Sequence, residues 1–181
     1  KAQLEAFDRE ITHHTLLHED LKRMFEAFPP NAHPMAILSS VCCALSTFYQ
    51  DAQDPQKPED VRISAIRLLA RMPTIAAFSY KKSRGLAYIY PENRLNYTQR
   101  FMKMMFAYRS EPYEVDEDLA KALDILLILH ADHEQNCSAT TVRVAGSART
   151  NLFASISAGI AALSGPLHGG ANQQVLKMLR K

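Results

Sequence analysis

The chain has 181 residues, of which 47% are hydrophobic and 22% are charged, and its formal net charge at pH 7 is +2. This composition is typical of a globular domain with one core and excludes a disordered chain. Its 21 lysines and arginines form no block, and no apolar run reaches 18 residues, so we expect neither a nucleic-acid surface nor a membrane-spanning helix.

Apolar residues recur at helical spacing along most of the chain, which has only six glycines, and this predicts an all-α, multi-helical fold. Helices are predicted over 7–11, over 16–28 with Thr15 as N-cap, over 35–49 after Pro34, over 61–71 and over 74–82. Pro73 predicts a break between the last two. Residues 85–91 carry the one weak extended or strand-like pattern.

A Met- and Phe-rich helix is predicted over 96–107, and Asp116 is a suitable N-cap for a long helix from Glu117. That second helix is apolar on nearly all sides as far as His130, so its own domain or a partner subunit must cover it. We expect His130 to lie on its buried stripe. Further predicted boundaries are Ser138 and Asn151 as helix caps, Gly165-Pro166 as a helix end and Gly169-Gly170-Ala171 as a helix start.

The three cysteines indicate a reducing compartment. Cys42 and Cys43 are adjacent and Cys137 stands alone, which is not a disulfide framework, so the simplest location is the cytoplasm. The charged first residues do not resemble a signal peptide. Because the chain begins at Lys1 and ends inside a helical pattern, we expect it to be a piece of a longer protein.

His168 follows Pro166 and precedes two glycines, which let a ligand approach the backbone closely. An imidazole beside a helix N-terminus feels the positive end of the helix dipole, which favours its neutral form. A neutral histidine can donate a hydrogen bond to a carbonyl oxygen that becomes an enolate. The alternative is a glycine-rich hinge with a structural histidine.

His130 and His133 are three residues apart, which on a helix places both rings on one face, near Asp132 and Glu134. A metal site is conceivable, but the order H-x-x-H-E differs from the zinc-protease motif H-E-x-x-H, and the cysteines supply no obvious further ligands. We therefore predict no metal, a structural His130 and a ligand-facing His133. Caps, turns and surface positions are expected for His13, His14, His18 and His33.

Two motifs together resemble citrate synthase: His130-Ala-Asp-His133-Glu-Gln-Asn136 and Gly165-Pro-Leu-His168-Gly-Gly-Ala-Asn172. Shorter stretches similar to the bacterial branch of that family are Asn31-Ala-His33-Pro-Met35, Phe48-Tyr49-Gln-Asp51, Arg67-Leu-Leu, Met72-Pro-Thr74 and Glu111-Pro-Tyr113. The resemblance covers essentially the whole chain. It implies a mainly helical enzyme with its active site between a large and a small domain. Residues 1–181 would be part of the large domain and would end near the start of the missing small domain.

The resemblance also implies the reaction, in which acetyl-CoA, oxaloacetate and water give citrate and CoA without a cofactor. It implies that His168 hydrogen-bonds the thioester carbonyl and stabilises the enol, that His133 binds oxaloacetate, and that Asn136 helps to shape that pocket. The second histidine, the aspartate base and the arginines of the family lie beyond the GPLHGGAN motif, so we expect this chain alone to be inactive. Helices equivalent to 117–130 and 138–146 pack against a twofold mate in the family, which implies a homodimer or hexamer.

Some bacterial members of the family are hexamers that NADH inhibits at a site far from catalysis. Positions of that allosteric site are matched by His14, Thr15, Tyr49 and Arg67. The usual Arg, Lys and Cys of the site are replaced by His13, Arg71 and Ser110. We therefore expect no strong regulation by NADH.

Three alternative functions stay open at this point. The first is 2-methylcitrate synthase, which uses propionyl-CoA and shares the fold and the histidines. The second is a helical metal-dependent enzyme or metal-binding protein that uses His130 and His133. The third is a structural helical oligomerisation module.

Overall fold

The computed structural model describes residues 1–132 and 134–180, with all their side chains except that of Asn172. Its helices are α1 (Ala2–Thr12), α2 (Glu19–Ala27), α3 (Pro34–Phe48), α4 (Pro58–Ser83), α5 (Tyr97–Phe106), α6 (Glu117–Leu129), α7 (Cys137–Ser147), α8 (Leu152–Leu163) and α9 (Gly170–Leu179). Within those ranges there is no strand, so the all-α prediction is confirmed, and of the two alternatives at 85–91 the strand is not observed. None of these helices is long and apolar enough to cross a membrane.

The core lies between α2, α3, α4 and α8. Its fully buried side chains include Leu21, Phe25, Val41, Leu45, Ile75, Phe78 and Phe153. The rings of Phe25 and Phe78 meet edge to face with centroids 5.8 Å apart, an arrangement that aromatic pairs favour. These helices form because their apolar positions recur every three to four residues and meet on one side.

Small residues bring α8 close to two neighbouring helices. Ser39 of α3 donates a hydrogen bond to the carbonyl of Ser157 at 2.9 Å, and the Ser157 hydroxyl donates to the carbonyl of Ser39 at 2.8 Å. On the side of α7, a Cβ atom added at Gly159 would lie 2.6 Å from Cγ2 of Val142. The helices thus approach one another closely around α8, and this contact fixes α7 and α8 against each other.

The predicted break at Pro73 is wrong, because α4 runs without interruption from Pro58 to Ser83. Proline has no N–H group, so it cannot donate to the carbonyl of Leu69 four residues earlier. The Tyr97 hydroxyl donates to that carbonyl instead, at 3.0 Å. A tertiary hydrogen bond thus satisfies the acceptor that the proline leaves, and the helix continues.

Two predicted caps are also wrong. Thr15 is buried, and its hydroxyl donates to Asn93 at 3.0 Å, while α2 begins later with the His18 ring accepting from the N–H of Asp20. Ser138 lies inside α7, whose N-cap is Asn136. Confirmed predictions are Asp116 and Asn151 as N-caps, and a cap role for His18 and His33.

Of the two covers predicted for α6, the rest of this chain does not bury it, and a partner subunit stays a prediction. Ile128 and Leu129 are 66% and 64% exposed, and Ala120 is the helix's one buried residue. His130, expected on a buried stripe, is exposed. The reason is that α6 packs only against α5 among the described helices, so its apolar surface is left for atoms outside the described chain.

Candidate active site

The backbone between α8 and α9 folds back over the end of α8. The N–H of Gly165 donates to the carbonyl of Ala162 at 3.1 Å, and that of His168 donates to Gly165 at 3.0 Å. The N–H of Gly169 reaches back to the carbonyl of Leu163 at 3.1 Å. These bonds satisfy carbonyls that the helix end leaves open, and they hold His168 half-buried beside α8.

The first turn of α7 faces this histidine. Nε2 of His168 lies 2.8 Å from Oγ of Ser138, which is a hydrogen bond between two half-buried side chains. Asn136 orders this turn, because its Oδ1 accepts from the N–H of Ala139 at 2.9 Å. The side chains of Asn136, Ser138 and His168 therefore all lie around the first turn of α7.

The segment before α7 carries the first histidine motif. α6 ends at Leu129, so the described motif residues His130, Ala131 and Asp132 lie beyond the end of that helix. The prediction that His130 shares a helix face with His133 involves a residue outside the described ones and stays a prediction. Nδ1 of His130 lies 2.7 Å from the carbonyl of Leu126. A carbonyl only accepts, so Nδ1 carries a proton in this contact. His133, the predicted oxaloacetate ligand, lies outside the described residues.

A pocket of about 550 Å³ collects these groups. Its lining residues are His130, Asn136, Ser138, Leu163, His168, Gly169 and Ala171. Asn136 and His168 thus line the same pocket, and Ser138, for which the sequence predicts only a cap role, lies there with them. A hydroxyl residue in the first helical turn after the histidine motif is the signal that could have identified it. In the ranges described, no three His, Cys, Asp or Glu residues are placed to hold a metal ion.

The residues matched to the allosteric site form a second cluster, away from the lining of that pocket. The guanidinium carbons of Arg67 and Arg71 lie 4.6 and 4.4 Å from the centre of the Tyr49 ring. Arg67 makes a two-pronged ion pair with Asp51 at 2.9 and 2.8 Å. Arg71 is buried and donates to the carbonyl of Leu16 at 3.1 Å. The guanidinium groups of Arg67 and Arg71 therefore both have partners within this chain.

His14 is half-buried in the same cluster. Burial lowers its pKa below the ordinary value of 6.5, and the positive charges of Arg71 and Arg67 lower it further. Thr15, next in the chain, is buried, and its carbonyl accepts from the Thr74 hydroxyl at 2.9 Å. The predicted allosteric residues are thus close together in space, with Thr15 committed to the core.

Comparisons with known proteins give one consistent result. The sequence model of the family described as "Citrate synthase, C-terminal domain" matches residues 1–181. Citrate synthase 1 of Mycobacterium tuberculosis (strain H37Rv) is 59% identical over 177 residues, covering 98% of this chain and 41% of that protein. The citrate synthase of Corynebacterium glutamicum is 55% identical, covering 98% of this chain and 40% of that protein. The chain therefore spans about two fifths of the length of these curated relatives.

Solved structures agree with the sequence matches. The crystal structure of citrate synthase from Pyrobaculum aerophilum superposes with a TM-score of 0.88 at 32% identity, covering 98% of this chain and 45% of that chain. The crystal structure of citrate synthase from Thermotoga maritima superposes with a TM-score of 0.79 at 29% identity, covering 99% of this chain and 45% of that chain. With its histidine motifs brought together at one pocket and its whole length matched by the family model, this chain belongs to the citrate synthase family.

Proposed function

We propose that the protein containing this chain is a citrate synthase, which joins acetyl-CoA to oxaloacetate and releases CoA with water. The observation that carries the proposal is the hydrogen bond between His168 and Ser138 in the pocket beside Asn136. Family membership and the 59% identity to a protein named citrate synthase 1 support the same reaction. In this proposal residues 1–181 are part of the helical large domain.

The geometry supports a defined role for each side of the His168 ring. When the Ser138 hydroxyl donates to Nε2, the ring proton of the neutral imidazole is on Nδ1. Nδ1–H can then donate to the thioester carbonyl oxygen of acetyl-CoA as the methyl group loses a proton and negative charge develops on that oxygen. In this proposal the general base accepts the methyl proton. The enol carbon then bonds to the ketone carbon of oxaloacetate as the C=O π bond breaks and the ketone oxygen takes up a proton to become the hydroxyl group of citrate. Water finally cleaves the thioester to give citrate and CoA.

Two further residues belong to the proposed oxaloacetate pocket. We propose that Asn136 shapes it, since its hydrogen bond to Ala139 fixes the side chain at the pocket wall. We propose His133, which lies outside the described residues, as an oxaloacetate ligand on the basis of the motif alone. The general base and the arginines for the carboxylates are proposed to come from parts of the enzyme that the relatives have and this chain does not cover.

Partners and location are proposed on the same basis. Acetyl-CoA is consumed as a substrate, and the reaction needs no cofactor. The exposed apolar residues of α6 support a twofold assembly, as a homodimer or as part of a hexamer. Cys42, Cys43 and Cys137 are free thiols, which supports a reducing compartment and hence the cytoplasm.

We propose that the cluster formed by Tyr49, Arg67, Arg71 and His14 is mainly structural and that NADH does not regulate the enzyme strongly. Asp51 already pairs with Arg67, and Arg71 is buried against a backbone carbonyl, so an anionic ligand would have to compete with these internal partners. Tight binding of NADH to the full-length enzyme, measured by calorimetry, would contradict this proposal.

The test of function is CoA release by the full-length protein with acetyl-CoA and oxaloacetate. We expect His168→Ala to lower kcat by about 10²–10³-fold, the usual cost of removing one preorganised donor to a developing oxyanion. The exposed His13→Ala is the matched control and is expected to keep wild-type turnover. Unchanged kcat in His168→Ala would reject the assignment. A higher kcat/KM for propionyl-CoA than for acetyl-CoA would instead identify a 2-methylcitrate synthase.

A further inference from the structure

Gly169 has a backbone conformation that any residue could adopt, but the atoms around it leave no room for a side chain. Its φ and ψ are −70° and −17°, values that any L-residue adopts. An added Cβ, however, would lie 2.1 Å from the carbonyl oxygen of Leu163, which is much closer than real Cβ atoms approach oxygen. The requirement for glycine here therefore comes from close packing of the turn on the end of α8.

The same carbonyl is the acceptor that closes the turn. The N–H of Gly169 donates to Leu163 at 3.1 Å, so the backbone of residue 169 and the end of α8 are in direct contact. A side chain at 169 could be accommodated only if the turn moved away from α8 by about an ångström. His168, the adjacent residue, would move with it.

Ser138 could not follow such a movement. It lies on α7, and α7 is packed tightly on α8 where Gly159 meets Val142. Its distance to His168 is 2.8 Å, in the middle of the range for a hydrogen bond, and a shift of one ångström would break that bond. The helix pair is therefore a fixed reference against which the turn must be placed.

We propose that Gly169 is a positioning residue for the reaction: by packing without a side chain on the Leu163 carbonyl, it sets His168 at hydrogen-bonding distance from Ser138. This inference rests on the proposed citrate synthase function. A misplacement of about 1 Å at a reacting group costs about 10²-fold in rate. Gly169→Ala should accordingly lower kcat while leaving the binding of oxaloacetate nearly unchanged.

The neighbouring Gly170 supplies a matched control. A Cβ at Gly170 would lie 3.8 Å from Cβ of Pro166, an ordinary contact, and the residue is the first of α9, where alanine is favoured over glycine. Full-length Gly169→Ala and Gly170→Ala would be compared with wild type for kcat, for the KM of each substrate and for thermal unfolding. Ser138→Ala and the double variant Ser138→Ala/Gly169→Ala would complete a cycle.

We expect Gly169→Ala to lose about 10²-fold in kcat relative to Gly170→Ala, which adds the same methyl group without the clash. In the cycle, Ser138→Ala should cost little more when Gly169→Ala is already present, because both act through His168. Wild-type kcat in Gly169→Ala, additive losses in the cycle, or failure of Gly169→Ala to fold while Gly170→Ala folds would each overturn the inference. If instead His168→Ala keeps full activity, the proposed function fails first, and the two failures are thus distinguishable.

Discussion

Two regions of this chain bury their apolar residues to very different extents. In the group formed by α2, α3, α4 and α8, side chains such as Phe25, Phe78 and Phe153 are completely or almost completely buried. In α6 and α9, Ile128 and Leu179 are 66% and 73% exposed. Both regions have helical apolar periodicity, so the difference lies in what covers them. Among the described helices, α9 packs against none of the others.

The pocket lies where these two regions meet. His168 lies in the turn between the end of α8, which belongs to the buried region, and the start of the open helix α9. Ser138 comes from α7, which packs on α8. The buried region thus fixes the His168–Ser138 pair within this chain, whereas the open region leaves the pocket accessible on its other side. The comparison shows that this chain fixes one side of the pocket, and we propose that additional protein supplies the other side.

The largest expected effect comes from removing that additional protein. We expect a verified 181-residue chain to show no measurable CoA release from acetyl-CoA and oxaloacetate. Positioned acid–base help alone contributes about 10²–10⁴-fold, and substrate-binding groups are lost as well. The measurement is a thiol-release assay beside the full-length enzyme at equal concentration. Detectable turnover that disappears in His168→Ala would show that the site is complete in this chain.

A second prediction compares one residue from each region. Phe153→Ala in the buried region should lower the free energy of unfolding by about 3–5 kcal/mol, because it leaves a cavity in a packed core. Ile128→Ala on α6 should change it by less than about 0.5 kcal/mol in the 181-residue chain, where the side chain is exposed. Denaturant unfolding followed by circular dichroism gives both values.

In the full-length protein, substitutions at the same two positions become more informative. If a second copy covers α6, Ile128→Asp should shift the assembly toward smaller species in light scattering, and stability should then depend on protein concentration. Phe153→Ala should instead destabilise the protein at every concentration. If both variants lost the same free energy of unfolding at every protein concentration, the distinction between the buried and open regions would be removed.

Local patterns in the sequence predict most of the helices. The cap of α8 at Asn151 and that of α6 at Asp116 follow from one short polar side chain before an apolar run, and both are observed. The predicted helix break at Pro73 is wrong because the effect of this proline depends on Tyr97, 24 positions away. The Tyr97 hydroxyl donates a hydrogen bond to the Leu69 carbonyl that the proline leaves without a donor. Sequence periodicity carries no information on such a tertiary partner, so a proline in the middle of a helix cannot be interpreted from its neighbours.

Prediction of the site divides in the same way. His168 and Asn136 could be selected because each lies in a short motif with unusual neighbours, and the pocket includes both. Ser138 could not be assigned to His168, since 30 residues separate them and only the packing of α7 on α8 brings them together. The burial of His130 was predicted from the apolar faces of α6, but periodicity specifies that a face is apolar and not which molecule covers it.

The smallest expected effect concerns pH and the buried region. Burial, and then Arg71 and Arg67, hold the pKa of His14 in the folded chain below the ordinary 6.5 that applies after unfolding. Between those two values the unfolded chain binds more protons than the folded chain at this residue. The contribution of His14 to stability is therefore fully present above pH 6.5 and is lost as the pH falls through its folded pKa.

His14→Gln should accordingly flatten the dependence of unfolding free energy on pH below 6.5. The exposed neighbour His13→Gln should change that dependence less, since the His13 charge is the smallest of the effects that act on the His14 pKa. Urea unfolding at half-unit steps from pH 7.5 to about 5 measures this slope for all three proteins. NMR titration of the His14 ring in the folded protein provides an independent value for the same group. A His14 that titrates at or above 6.5 would contradict the lowered pKa that burial, and then the two arginines, give it in the folded chain, and the predicted slope would have no source in this residue.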